Sequence, residues 1–342
     1  MSKIAFISFN TGGTLGHTTL LSKLAMNLIN EHEVYILSDH DFSINSAVRN
    51  PRVTWEKFPQ EITVNSNGGR ISYRSSERFL KYCSTRNIDY VIYSTFFDSK
   101  LVKELDKNKV KNIYVSYPLR DAYSELFFLR KHNDIFNHVI ILRDLYDNKY
   151  PESVKRTNPL LLPHQKQESN SQKILLTCGG GGRPSSVRFL QLMKDYVPAI
   201  KRISDVEITL IRGPNNKEIE IDDVMVLEST SNMQRYIDEA KVVISEAGYF
   251  TTHELISRSK PSILIPGERR IDNQELRAIK YEERGLGFCV MPSEDIELLV
   301  SKTFHLLTDQ ERYRQIQANC QTYYSQYKPE ENIENILRGL IR

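Results

Sequence analysis

The stretch Ile174-Leu175-Leu176-Thr177-Cys178-Gly179-Gly180-Gly181-Gly182-Arg183-Pro184-Ser185-Ser186 starts as a short apolar run, passes through four glycines and continues into a helical pattern. A continuous apolar run bounded by a turn reads as a strand covered on both faces, as in a parallel sheet. Four consecutive glycines cost backbone entropy that an ordinary turn has no reason to incur. Close approach is the better account, because N–H groups at a strand-to-helix turn reach a diphosphate and the helix N-terminus favours its charge. A flexible loop is the plain alternative.

Outward from this stretch the alternation repeats on both sides. Downstream, apolar runs at 208–211, 224–227, 242–245, 262–265 and 288–291 are separated by helical patterns at 187–200, 233–239, 252–257 and 272–283. Upstream, runs at 4–9, 34–37, 53–58, 90–94, 113–117 and 139–142 have helical segments between several of them. The expectation is an α/β chain of two Rossmann-like, doubly wound parallel-sheet domains with an interdomain cleft. The length of 342 residues agrees, since one core usually organises roughly 100 to 200. The first domain is expected over 1–150 and the second over 173–328. Between them, Pro151, Pro159 and Pro163 precede the polar run 165–172, so 151–172 reads as a connector. A closing helix over 329–342 either crosses back onto the first domain or packs on its own.

Composition removes several classes. Lys and Arg total 46 against 43 Asp and Glu, and a formal charge of +3 is too small to mark a nucleic-acid binder. With 40% hydrophobic and 26% charged residues the chain is neither disordered nor collagenous. Cys83, Cys178, Cys289 and Cys320 lie far apart without C-x-x-C spacing, which argues against a zinc site or a disulfide framework. A reducing cytoplasm is the compartment expected. The N-terminal apolar run is too brief for a signal peptide, and no stretch reaches the roughly 18 apolar residues of a spanning helix. Membrane contact is therefore expected to be at most peripheral, at the inner face.

Three further stretches carry chemistry. The first run enters Asn10-Thr11-Gly12-Gly13-Thr14-Leu15-Gly16-His17, followed by Leu20, Leu21, Leu24 and Leu28 on one helical stripe. Gly12, Gly13, Thr14 and Gly16 read as a ligand cradle, with His17 at the mouth of the cleft as a general base; the alternative is a histidine capping the turn. Ser245-Glu246-Ala247-Gly248-Tyr249-Phe250-Thr251-Thr252-His253-Glu254-Leu255 places Gly248 at a turn and Glu254 in the next helix, where a carboxylate suits two ribose hydroxyls. A solvated helix-surface Glu is the common alternative. Asp272, Asn273 and Gln274 lie at a helix start and suit sugar hydroxyls, with Asp272 as an N-cap the bland reading. Arg183 and Arg212 are candidates to add positive charge, or are solvated surface side chains.

The order of these motifs resembles that of MurG-like glycosyltransferases. Gly12-Gly13-Thr14-Leu15-Gly16-His17 resembles the family's N-terminal glycine loop, with Leu15 in place of a glycine. Residues 245–255, Lys260-Pro261-Ser262-Ile263-Leu264-Ile265-Pro266 and Asp272-Asn273-Gln274 resemble its C-terminal donor signature, with Glu275 where the family has a second sugar-binding Gln. The resemblance implies a GT-B fold and an inverting, metal-independent hexosyl transfer from a nucleoside-diphosphate sugar, of uridine diphosphate and N-acetylglucosamine type. It implies donor binding by Gly179, Gly180, Gly181, Gly182, Arg212, Ser229, Thr230, Gly248, Glu254, Asp272, Asn273 and Gln274. Glu254 would hold the ribose, Gln274 the sugar, and Gly180 to Gly182 the diphosphate. Ser229 and Thr230 stand where more apolar contacts to the uracil are expected. His17 falls on the family's histidine near the acceptor, which would be a small molecule, a glycan or a lipid-linked sugar. No metal and no further cofactor are implied.

Other readings start from the same residues. Asp39-His40-Asp41 has the spacing of a metal-dependent transferase, but in the half without the donor signature. Asp39 also lies about 20 residues beyond the first glycine loop, as in a nicotinamide-dependent oxidoreductase; only Gly13 and Gly16 match that fingerprint. A sugar-nucleotide epimerase, a hydrolase or a binding subunit would keep the GT-B fold and change the outcome. The aromatic run 123–129 suits either a lipid-bearing acceptor at a membrane surface or an ordinary core helix.

Overall fold

The computed structural model describes residues 1–8, 16–38, 53–57, 62–64, 71–73, 76–94, 97, 99–120, 133–160, 172–230, 232–269 and 271–341. The first half builds a seven-stranded sheet in the order β3-β2-β1-β6-β7-β8-β9. Its strands are β1 (Lys3–Ser8), β2 (Glu33–Ser38), β3 (Val53–Lys57), β6 (Tyr90–Ser94), β7 (Lys111–Ser116), β8 (His138–Leu142) and β9 (Val154–Thr157), all paired in parallel. A separate antiparallel pair, β4 (Ile62–Val64) and β5 (Ile71–Tyr73), lies outside it. Ile4, Ala5, Phe6 and Ile7 are all buried, which is why β1 reads as a continuous apolar run without alternation.

The second half builds a six-stranded parallel sheet in the order β12-β11-β10-β13-β14-β15. Its strands are β10 (Lys173–Thr177), β11 (Glu207–Ile211), β12 (Met225–Leu227), β13 (Val242–Glu246), β14 (Ser262–Ile265) and β15 (Phe288–Cys289). The helices are α1 (Gly16–Leu28), α2 (Ser76–Arg86) and α3 (Ser99–Lys107) in the first half. In the second they are α4 (Pro184–Lys201), α5 (Met233–Glu239), α6 (Tyr249–Ser257), α7 (Gln274–Glu283), α8 (Ile296–Thr308), α9 (Gln310–Ser325) and α10 (Ile333–Leu340). The two sheets and their helices make the doubly wound α/β pair that the alternation predicts.

One stretch departs from the expected boundaries. β9 lies inside the stretch read as a connector and pairs with β8, so the first sheet runs past residue 150. It is four residues long, and only Val154 and Thr157 are buried, too little pattern to show in sequence. The closing helix α10 packs on α1. Ile333, Leu337 and Ile341 join the core that holds Leu20, Leu24 and Leu28, while Arg338 bonds Glu31 at 2.8 Å and the Asn27 carbonyl at 3.0 Å.

Strand order fixes where ligands have room. In each sheet the chain leaves one strand toward one edge and returns on its other side, between β1 and β6 in the first and between β10 and β13 in the second. The loops at the carboxyl ends of such a pair diverge and leave a crevice.

Candidate functional site

The turn after β10 is held open by its neighbours. Gly179, Gly181 and Gly182 have φ of +67°, +71° and +78°, a region that L side chains rarely adopt, so the glycine run is a built conformation. Asn216 braces it: its Oδ1 accepts from Gly182 N–H at 2.9 Å and from Ser186 Oγ at 3.1 Å, and its Nδ2 donates to the Arg212 carbonyl at 2.6 Å. The Gly180 carbonyl accepts from Asn215 N–H at 3.2 Å. Directly after the loop, Arg183 N–H donates to Ser186 Oγ and Pro184 opens α4, so the helix N-terminus is aimed at the crevice.

Across the switch point, β13 ends at Glu246, and Ala247-Gly248 turns into α6. Beyond β14, residues 266–273 lead into α7, whose N-cap is Asn273, accepting from Leu276 N–H at 3.2 Å. A cavity of about 390 Å³ opens between these turns and α4, with Phe189, Ile265 and Met291 on its apolar side and Glu246, Arg269 and Gln274 on its polar side. Arg269 donates to Ser185 Oγ and, at 2.7 Å, to Glu246 Oε2. Gln274 turns its Oε1 back to Gly267 N–H at 2.8 Å, so its Nε2 is the atom left to donate. The first half closes this region: Arg120 donates its backbone N–H to the Ile271 carbonyl at 2.8 Å and its guanidinium to the Arg269 carbonyl at 3.2 Å.

Behind the cavity the two halves are joined by charge. Arg277 is fully buried and donates to Asp144, just beyond β8, at 2.7 Å, to Asp272 at 2.8 Å and to the Ala247 carbonyl at 2.9 Å. His253 Nε2 lies 3.2 Å from the same Asp144. Burial pushes the Asp144 carboxyl up, but Arg277 and His253 override it and hold it well below the usual carboxylate range. Tyr117 of the first half stacks on Tyr249 of the second at 4.7 Å over this cluster.

The residues singled out in sequence separate into groups. Gly179 to Gly182 and Gly248 sit at the C-terminal switch point, and Asp272, Asn273 and Gln274 line the cavity. Asp272 is held by Arg277, and Asn273 is the cap in its place. Arg212 is 7% exposed and donates to Glu228 at 3.0 Å and to the carbonyls of Gly213 and Asn216, so it supports the loop instead of facing a ligand. Glu254 lies outside the cavity lining, with Arg258 at 3.7 Å, and its charge acts on Lys23 of α1. Thr230 Oγ1 accepts from Asn232 N–H at 3.0 Å, and neither it nor Ser229 lines the cavity. Gly16 and His17 open α1, and the His17 side chain lies outside the described residues, as do Gly12, Gly13, Thr14, the stretch 39–41 and the run 123–129. Among the described residues no group of three or more His, Cys, Asp or Glu is placed to hold a metal ion, and no helix is long and apolar enough to cross a membrane.

Asn216, Glu246, Arg269, Asp144 and Arg277 were not among the sequence candidates. Glu246 had a signal, as a charged residue closing an apolar strand. Asp144 and Arg277 meet across 133 positions, and nothing local marks either.

Comparison with known proteins places this geometry. Residues 173–328 match the glycosyltransferase family 28 C-terminal domain. Over 272 residues the chain is 26% identical to the UDP-N-acetylglucosamine--N-acetylmuramyl-(pentapeptide) pyrophosphoryl-undecaprenol N-acetylglucosamine transferase of Thermosipho africanus, spanning 73% of this chain and 80% of that protein. The spinosyn forosaminyltransferase SpnP superposes with a TM-score of 0.70 at 14% identity, over 99% of this chain and 98% of its own. MurG of Acinetobacter baumannii does so with a TM-score of 0.66 at 13% identity, over 100% and 99%. Likeness at such identities establishes the fold, and the domain match speaks for the second half: residues 173–328 match the glycosyltransferase family 28 C-terminal domain, in a chain of GT-B fold that is similar to MurG.

Proposed function

We propose that the chain transfers a sugar from a nucleoside-diphosphate sugar to an acceptor hydroxyl by inverting displacement without a metal ion. The observation that carries this reading is the coincidence of the family match over 173–328 with a switch-point crevice built from the glycine loop, the α4 N-terminus and a sugar-sized cavity. The names of the relatives point to uridine diphosphate N-acetylglucosamine as donor and to an undecaprenol-linked acceptor. Gly180 and Gly181 present N–H groups to the diphosphate, since the Gly179 N–H is given to Thr177 and that of Gly182 to Asn216; Gln274 and Asn273 face the sugar, and Gly248 leaves room at the turn beside it. The ribose role of Glu254 requires its carboxylate to leave Arg258 or to accept a ribose hydroxyl alongside it.

In the reaction the acceptor oxygen attacks the anomeric carbon, the bond from that carbon to the diphosphate oxygen breaks, and the acceptor proton passes to His17. Charge on the departing diphosphate is met by preorganised N–H donors and the dipole of α4. Gly12, Gly13, Thr14 and Gly16 form the acceptor side.

The test is a panel of nucleotide sugars in isothermal titration with and without a chelator, followed by product analysis with acceptor. Chelator-insensitive binding of a uridine diphosphate sugar, and a product of opposite anomeric configuration, are expected. Hydrolysed or epimerised donor without a new glycoside would move the protein to a hydrolase or epimerase. Binding of a nicotinamide cofactor in place of any sugar nucleotide would end the transferase reading.

A further inference from the structure

Glu246 closes β13 at the point where the strand order reverses, and it is 5% exposed. Its Oε2 takes the Arg269 guanidinium at 2.7 Å, while its Oε1 has no hydrogen-bonding partner among the described residues. A carboxylate oxygen buried in that way loses its hydration, and a ligand hydroxyl or a water brought to it supplies a partner in return. Glu246 is among the residues that line the cavity. A Cβ placed on Gly267 would stand 2.7 Å from Glu246 Oε1 and 3.1 Å from Gln274 Oε1, so the two side chains converge on one spot. Gln274 Oε1 is taken by Gly267 N–H, leaving Nε2 to donate. One acceptor and one donor side by side match a hydroxyl, which gives a hydrogen bond to the first and takes one from the second.

We propose that Glu246 determines which sugar the donor site accepts: its Oε1 takes a hydrogen bond from a hydroxyl or amide N–H of an uncharged sugar, and its charge turns away sugars that carry a carboxylate. The inference rests on the donor site proposed above. Burial pushes the Glu246 carboxyl up, and Arg269 and the Ser185 hydroxyl offset part of that rise. Without Glu246, Arg269 is left without its carboxylate partner beside the same cavity, and an acidic sugar supplies one.

Titration of wild type, Glu246→Ala and Glu246→Gln with uridine diphosphate alone, with its N-acetylglucosamine and glucose conjugates, and with its glucuronic acid conjugate tests this. In Glu246→Ala the neutral conjugates should bind about tenfold or more weakly, the size of one hydrogen bond to a charged group, the glucuronic acid conjugate more tightly, and uridine diphosphate unchanged. Glu246→Gln keeps an acceptor oxygen, so it should hold the neutral conjugates within a few-fold while also gaining the acidic one. Opposite signs for neutral and acidic sugars are not what loss of folding produces. Parallel weakening of all four ligands, or no change in any, overturns the role of Glu246 while leaving the donor site in place. Failure of wild type to bind any of the four overturns the donor site itself.

Discussion

Asp144 and Arg277 come from opposite halves of the chain and meet at 2.7 Å, with both side chains fully buried. Two Arg277 nitrogens converge on the carboxylate, Asp272 takes a further contact, and the Tyr249 ring stands 5.5 Å from the guanidinium carbon. Neither charge is tolerable there alone, so the pair permits one docking of the second sheet's turns against the end of β8. Its role is orientation more than net stability, because desolvation offsets much of the attraction.

Removing one partner is therefore costly. Asp144→Ala should destabilise the protein by roughly 3–5 kcal/mol, the usual penalty for leaving a buried charge uncompensated. The double variant Asp144→Leu with Arg277→Met should recover most of that loss, and denaturant unfolding of the three proteins measures it. A double variant as unstable as the single one would show that the cluster contributes through contacts other than charge.

The same carboxylate sets an acid limit. Its folded pKa is depressed below the ordinary value of 3.8, so the stability it contributes is present above about pH 4 and is lost as pH falls through the folded value. Melting temperature should fall more steeply with acid below that point in wild type than in Asp144→Asn, which is less stable at neutral pH. Equal slopes for the two proteins would remove Asp144 from the acid response.

Asn216 links the glycine loop to α4 through four side-chain bonds with Gly182, Ser186, Cys178 and the Arg212 carbonyl. Asn216→Ala should cost about 1–3 kcal/mol, as for an unsatisfied buried group, and weaken uridine diphosphate binding by releasing the loop. Calorimetric titration that returns wild-type affinity would mean that the loop holds its shape unaided.

Two glycines separate folding from binding. Gly213 has φ of +83°, and a Cβ on it would overlap the Gly179 carbonyl oxygen, so Gly213→Ala should lower stability by more than about 1 kcal/mol. Gly248 has φ of −65° with open space where its Cβ would be, so Gly248→Ala should shift stability by no more than about 1 kcal/mol. A methyl there nonetheless enters the crevice, and titration should show weaker sugar-nucleotide binding in a normally folded protein.

Much of this architecture was legible because buried parallel strands leave a strong local mark. Residues 174–176 and 242–244 are apolar and buried on both faces, and the turns that follow their strands carry glycines for reasons of backbone geometry. β9 left no such mark because two buried positions in four residues are not a pattern. The site was legible as far as its loops. Asn216 reads as a turn residue until its bonds to the glycine loop are seen, and Arg212 reads as a free cation until Glu228 is placed against it. Pairings across the two halves, Asp144 with Arg277 above all, depend on how whole sheets dock and have no signature in either local sequence.

The return of α10 to α1 gives the chain an order of assembly. Ile333, Leu337 and Ile341 complete the core face on which Leu20, Leu24 and Leu28 lie, so the half synthesised first lacks part of its covering until residues 333–341 are made. At roughly 5–20 residues per second the ribosome leaves that face waiting on the order of ten seconds or more. During that interval an apolar helix surface is open to chaperones, and the emergence of α10 is the event that lets the first domain close.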